Sequence, residues 1–175
     1  MELQLTKEQR QVAHAAATED SRPVLTAVCI RGNKLLAADG YVLAETTLTM
    51  DPLEQDVLLP AKDILKAKDM KGTSNVFIHT NGETDRAHLM DADGERIIPF
   101  IQGTFPNTDQ LYPAKERVFR IGLSCDVLQT ILKVAGKGNH VKLTFYGEDQ
   151  PVKFESPNTD AQGLAMPFAV RWEDQ

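Results

Sequence analysis

Four histidines, two cysteines and a scatter of carboxylates are the residues of this chain able to do more than pack. His14, His79, His88 and His140 stand apart and show no metal-ligand spacing. Asp91 and Asp93 in DADG resemble a loop ligand pair, but the rest of an EF-hand loop is missing and a solvated hairpin turn accounts for them. Asp39 and Glu45 could be taken for an acid/base pair, yet Asp39 before Gly40 is better explained as a turn residue. GxGxxG, a Walker loop, HExxH, CxxC and GxSxG are all absent. Cys29 and Cys125 lie in apolar surroundings without partner spacing, as two buried thiols of a cytosolic protein would. The expectation is a protein that is not an enzyme, with no catalytic residue, no metal and no cofactor.

The cations are more informative. Lys7, Arg10, Lys62, Lys66, Lys133 and Lys137 fall on the exposed stripes of three expected helices. A net charge of −6 argues against indiscriminate nucleic-acid binding, but the field is set by where charges lie. Basic side chains on equivalent faces of stacked helices would meet phosphates rather than bases, giving salt-dependent, sequence-independent contact. Glu8, Asp63 and Asp126 dilute the effect, as a weak and mobile grip requires.

The elements carrying these helices repeat. Leu3-Gln4-Leu5 precedes TKEQRQVAHAAA, Val57-Leu58-Leu59 precedes PAKDILKAK, and Phe119-Arg120-Ile121 precedes SCDVLQTILKVAGKG. Each is a short strand running into a helix start. Thr6 with Gln9 makes a capping box, Pro60 suits the first helical position, and Ser124 with Asp126 supplies a cap and a negative charge at the positive end of the dipole. Three strands follow each helix: VLTAVCI, KLLAAD and YVLAETTL; then NVFIHT, DRAHLMDAD and RIIPFIQG; then HVKLTFY, PVKFES and GLAMPF. RGN, NGET and GEDQ form the first turn of each set, and the Asp39-Gly40 corner lies between the last two strands of the first.

The chain therefore reads as an α+β protein built of βαβββ units over about 1–50, 55–105 and 117–170, with LYPAKE (111–116) as linker. Val12, Ala15 and Ala16, then Ala61, Ile64 and Leu65, then Leu128, Ile131, Leu132 and Ala135 form the inward stripes. The 175 residues, 42% apolar and 25% charged, suffice for a substantial core. No apolar run reaches the roughly 18 residues of a membrane span, and MELQLTKEQR lacks the order of a signal peptide, so a cytoplasmic protein is expected.

Three segments, in order, resemble the bacterial DNA polymerase sliding clamp, the beta subunit of DNA polymerase III. RPVLTAVCIRGNKLLAADGYVLAETTL is similar to the clamp's middle-domain segment with its ATDGHRLA-like corner. IQGTFPNTDQLYP resembles its linker, and the stretch from LSCDVLQTILKVAGKG to Met166-Pro167-Phe168 resembles the second half of its last domain. The resemblance implies a DNA-clamp fold, with sheets outside and helices lining a surface that faces double-stranded DNA. Residues 1–112 would be a complete clamp-like domain and 113–175 a half domain.

The resemblance also implies a processivity factor in DNA replication that encircles duplex DNA and tethers a polymerase or other partner by a short peptide. The peptide pocket would draw on Gly40, Tyr41, Val42, Leu43, Pro106, Leu111, Leu164, Met166, Pro167 and Phe168. Ala38 and Tyr41-Val42 replace the family's Thr and His-Arg, and Asp109-Gln110 stand where its linker is basic, so the pocket's polarity differs. A ring of twelve units would need four chains of three, hence a homo-tetramer. The alternative is a clamp-derived module that forms no ring and acts as adaptor or competitor for clamp-binding peptides.

Overall fold

Thr6 both ends a strand and starts a helix. It closes β1 (Glu2–Thr6), and its Oγ1 accepts from the Gln9 backbone at 3.2 Å while the Gln9 amide oxygen accepts from the Thr6 N–H at 3.0 Å. That capping box opens α1 (Lys7–Arg10), which tightens into a 3-10 turn over Gln11–Ala15. The computed structural model describes residues 2–19, 21–70, 75–79, 85–115 and 118–171, with the backbone alone at Asn75 and Val76. It divides into two units, Met1–Gln110 and Leu111–Gln175.

In the first unit, α1 is followed by β2 (Ala27–Gly32), β3 (Lys34–Ala38) and β4 (Leu43–Thr47). The pattern recurs with β5 (Leu53–Pro60), α2 (Ala61–Lys66), β6 (Asn75–His79), β7 (Arg86–Asp91) and β8 (Gly94–Pro99). Both are the expected βαβββ repeat. Pro60 differs slightly from expectation: it is the last residue of β5 and the N-cap of α2 rather than its first residue. The NGET turn (81–84) lies outside the described residues.

The repeats exchange their first strands. The sheets run β1-β6-β7-β8 and β4-β3-β2-β5, so each is closed on one side by the leading strand of the other repeat. Leu5 lies opposite Val76 and Leu3 opposite Ile78; Leu59 lies opposite Val28 and Val57 opposite Ile30. One core draws on both sheets and both helices, joining Leu3, Leu5, Val28, Ile30, Leu59, Ile78 and Leu89 to Val12, Ala13, Ala61 and Ile64. Small helix residues let the backbones approach. Leu65, expected inward, is exposed. A second cluster of Leu25, Ala27, Cys29, Leu36, Leu58 and Phe105 covers the reverse face of β2, which is why AVCI reads as a continuous apolar run.

In the second unit, Ser124 Oγ accepts from the Val127 N–H and starts α3 (Cys125–Ala135). β9 (Lys142–Thr144), β10 (Val152–Ser156) and β11 (Ala161–Ala165) form a sheet ordered β11-β10-β9. Gly163 sits under Phe154, its cross-strand partner; a Cβ there would meet the ring at 2.6 Å. Two expectations fail. Phe119-Arg120-Ile121 joins no sheet, and β9 is shorter than HVKLTFY suggested. Among the described residues β9 is paired by β10 alone, and no second ladder extends it.

Candidate functional site

The basic helix residues divide in two. Lys7, Lys62, Lys66, Lys133 and Lys137 are exposed, whereas Arg10 is only 5% exposed. Its guanidinium donates to the Ala67 carbonyl and pairs with Asp69, tying α1 to the end of α2. Arg10 is therefore a bond between repeats and not a surface cation. Its place in the helical period gave no warning, because a long side chain can lie along the helix and bury its head group where carbonyls await it.

The corner after β3 is wider than a two-residue hairpin. Ala38 pairs with Leu43, leaving Asp39-Gly40-Tyr41-Val42 as a four-residue loop. Asp39 accepts the backbone N–H of Tyr41 and of Val42, each at 2.8 Å, and these bonds hold its carboxyl below the usual range. Gly40 takes φ +98°, which a residue with a Cβ resists. The loop thrusts Tyr41 into solvent at 97% exposure. Glu45, the other half of the carboxylate pair, is engaged by Lys34 across the sheet at 2.9 Å. Asp39 is thus a turn residue, as expected.

Gly40 and Tyr41 line a mostly polar groove of about 680 Å³ with Thr18, Glu19, Arg22, Leu25 and Asp39. The cation Arg22 and the apolar Leu25 were missed in the sequence; their only signal was adjacency to Pro23 in the RPVL segment. In the same unit, Arg31 ties down part of the expected linker. It clasps Asp56 with a shortest contact of 2.6 Å and donates to the carbonyls of Phe105 and Pro106 at 3.1 Å. Phe105 is buried while Pro106 is exposed.

In the second unit, Leu164 and Met166 line a shallower apolar groove of about 330 Å³ with Val127, Ile131 and Phe154. Val42, Leu43, Pro106, Leu111, Pro167 and Phe168 line neither groove. Leu111, Leu164, Met166 and Phe168 are all exposed. A third groove of about 690 Å³ in the first unit runs beside His14, Ala61, Lys62, Leu65, Arg96 and Ile97.

Register, invisible in spacing, brings two of the scattered histidines together. His79 pairs with His88 across β6 and β7, their rings stacked at 5.1 Å. Glu95 approaches His88 Nδ1 at 2.8 Å and His79 Nε2 at 3.6 Å. Among the described residues these three could hold a metal ion, which sequence spacing did not suggest. Asp91 is not the solvated turn residue expected. Its carboxylate is buried and accepts from Arg96 Nη1 at 2.9 Å, Asp93 N at 2.9 Å and Lys68 N at 3.2 Å. Cys29 is buried as expected, and burial, helped by Asp56, pushes its thiol up to about 12; Cys125, expected buried as well, is instead exposed at the first residue of α3.

No family model and no curated protein matches the sequence. Solved structures do. The DNA polymerase sliding clamp of Bacillus subtilis aligns with a TM-score of 0.71 at 20% identity over 95% of this chain and 49% of that one. The chain has the sliding-clamp fold. The clamp of Pseudomonas aeruginosa aligns at 0.70 and 17% identity, over 95% and 51% of the respective chains. The polymerase beta subunit of Streptococcus pyogenes aligns at 0.69 and 18%, over 98% and 50%. The chain spans about half the length of these clamps. No helix among the described residues is long and apolar enough to cross a membrane.

Proposed function

We propose that the protein is a DNA sliding clamp, a cytoplasmic and non-enzymatic processivity factor that encloses duplex DNA as an oligomeric ring. The observation carrying this reading is the alignment of nearly the whole chain with solved sliding clamps, at a TM-score of 0.71. Residues 1–112 act as one complete clamp domain and 113–175 as half of another. Lys7, Lys62, Lys66, Lys133 and Lys137, exposed on the helices, meet the phosphate backbone of double-stranded DNA without reading its sequence. Four chains of three repeats would supply a twelve-repeat ring.

Partners, a polymerase among them, bring a peptide with apolar anchors. The apolar groove at Leu164 and Met166 receives such an anchor, and the polar groove at Gly40 and Tyr41, where Arg22 stands with Glu19 and Asp39, receives a polar group. The DNA role is tested by Lys62→Glu with Lys66→Glu. The double variant should lose retention on closed circular DNA at low salt and show a shallower salt dependence. Unchanged retention would remove these lysines from the DNA-facing surface.

The half-length alignment favours a second reading, in which the chain forms no ring and competes for clamp-binding peptides. That reading predicts peptide binding with no retention on circular DNA.

A further inference from the structure

The outer face of β6, β7 and β8 gathers three ligand-type side chains that the sequence keeps apart. On these strands Ile78, Ala87, Leu89 and Ile98 belong to the core and are at most 2% exposed. Alternation turns their neighbours to the other face. There His79 and His88 are direct cross-strand partners, and Ile97 on β8 is the partner of His88 on its other side. Glu95 stands two residues before Ile97, the diagonal position. Such diagonals are about 7–8 Å apart, which a long side chain bridges.

The three side chains converge. One carboxylate oxygen, Glu95 Oε1, lies 2.8 Å from His88 Nδ1 and 3.6 Å from His79 Nε2. A hydrogen bond accounts for the first approach. The second is beyond hydrogen-bond range, so a proton alone does not explain why a second imidazole faces the same oxygen. The rings stack at 5.1 Å with 17° between their planes. One ligand atom from each residue lies within 4.8 Å of the other two. A tetrahedral ion with nitrogen and oxygen ligands at roughly 2.0–2.1 Å sets them about 3.3 Å apart, so small side-chain shifts suffice. All three residues stand on paired strands rather than loops, which leaves little to order on binding. Apolar Phe77, Met90 and Ile97 share the face and flank the cluster.

We propose that His79, His88 and Glu95 bind one divalent transition-metal cation of the zinc class, and that the ion clips β6, β7 and β8 together on their outer face. Two imidazoles with one carboxylate favour such an ion over Mg²⁺ and Ca²⁺, which take oxygen shells. The ion replaces the proton between Glu95 and His88 and engages His79 as well. Three protein ligands leave the remaining coordination to water. The site lies within the first unit and needs no DNA, ring or partner peptide, so it goes beyond the clamp reading and is independent of it.

The test uses the whole chain carrying Cys125→Ser, which removes the exposed thiol as a stray ligand. The protein is stripped with EDTA and exchanged into metal-free, slightly alkaline buffer. Calorimetric titration with Zn²⁺ should show one site per chain, and Mg²⁺ should show none of comparable affinity. His79→Ala, His88→Ala and Glu95→Gln should each weaken Zn²⁺ binding by about tenfold or more, since even groups one shell out from a metal are worth ten- to a hundredfold. His140→Ala, in the other unit, should leave binding unchanged. Saturating Zn²⁺ should raise the Tm of the parent by about 2–4 °C and leave the three ligand variants unshifted. Far-ultraviolet circular dichroism without metal checks that each variant is folded, with His79→Gln or His88→Gln in place of an alanine variant that is not. Failure to bind Zn²⁺ at sub-millimolar concentration, equal affinity for Mg²⁺, or binding that survives all three substitutions would overturn the proposal. A bound ion that leaves Tm unshifted would overturn the clip.

Discussion

Leu3 lies opposite Ile78, although they belong to different repeats. With Leu59 opposite Val28, this pairing makes each sheet depend on the other repeat's leading strand. The first unit is therefore one cooperative body rather than two half-domains in contact. Leu59→Ala should destabilise it by about 2–5 kcal/mol, because the cavity opens in a core shared by both sheets. Urea denaturation followed by far-ultraviolet circular dichroism would show the loss as one transition. Two separated transitions would mean that the repeats fold independently.

Arg31 should resist conservative replacement. Its planar fork engages Asp56 and the carbonyls of Phe105 and Pro106 together, and an ammonium cannot hold all three. Arg31→Lys should cost about 1–2 kcal/mol in the same denaturation assay. It should also speed chymotryptic cleavage after Phe100 by loosening that segment.

Much of this was legible in the sequence. The repeats, the Thr6 and Ser124 caps and the Asp39 turn were written in local chemistry, where one side chain meets a backbone group a few residues away. What was not legible depended on register between distant strands. The meeting of His79, His88 and Glu95 follows from β6–β7–β8 pairing, which no spacing encodes. Burial of Arg10 depends on carbonyl and carboxylate groups that α2 presents from the other repeat. The exposed Leu132 and the strandless Phe119-Arg120-Ile121 carry the pattern of a buried helix and a paired strand. Periodicity marks the stripe that can be buried, not the surface that buries it.

The two thiols should differ sharply in reactivity. Cys29 is buried, with its thiol pushed up to about 12, so almost none is thiolate near neutrality. Cys125 is exposed. Iodoacetamide on the native protein followed by peptide mass spectrometry should label Cys125 and leave Cys29 until the chain is unfolded. Equal labelling would mean that the β2 core opens readily.

Asp91 should contribute an acid-sensitive part of stability. Burial alone would raise its carboxyl, but the N–H groups of Asp93 and Lys68 and the Arg96 guanidinium outweigh that and hold it below 3.8. A lowered folded value means the stabilisation is complete above the unfolded pKa, near 3.8, and is lost as pH falls through the folded one. Asp91→Asn should cost about 2 kcal/mol at neutral pH and flatten the acid limb of the stability profile. An unchanged acid limb would assign that dependence to other carboxylates.

Enclosure of DNA is open to direct view by electron microscopy of the assembled protein, with two-dimensional class averages. A ring-forming clamp gives closed annular particles with an opening wide enough for a DNA duplex. Compact particles without an opening, or a population of single chains at micromolar concentration, would contradict it.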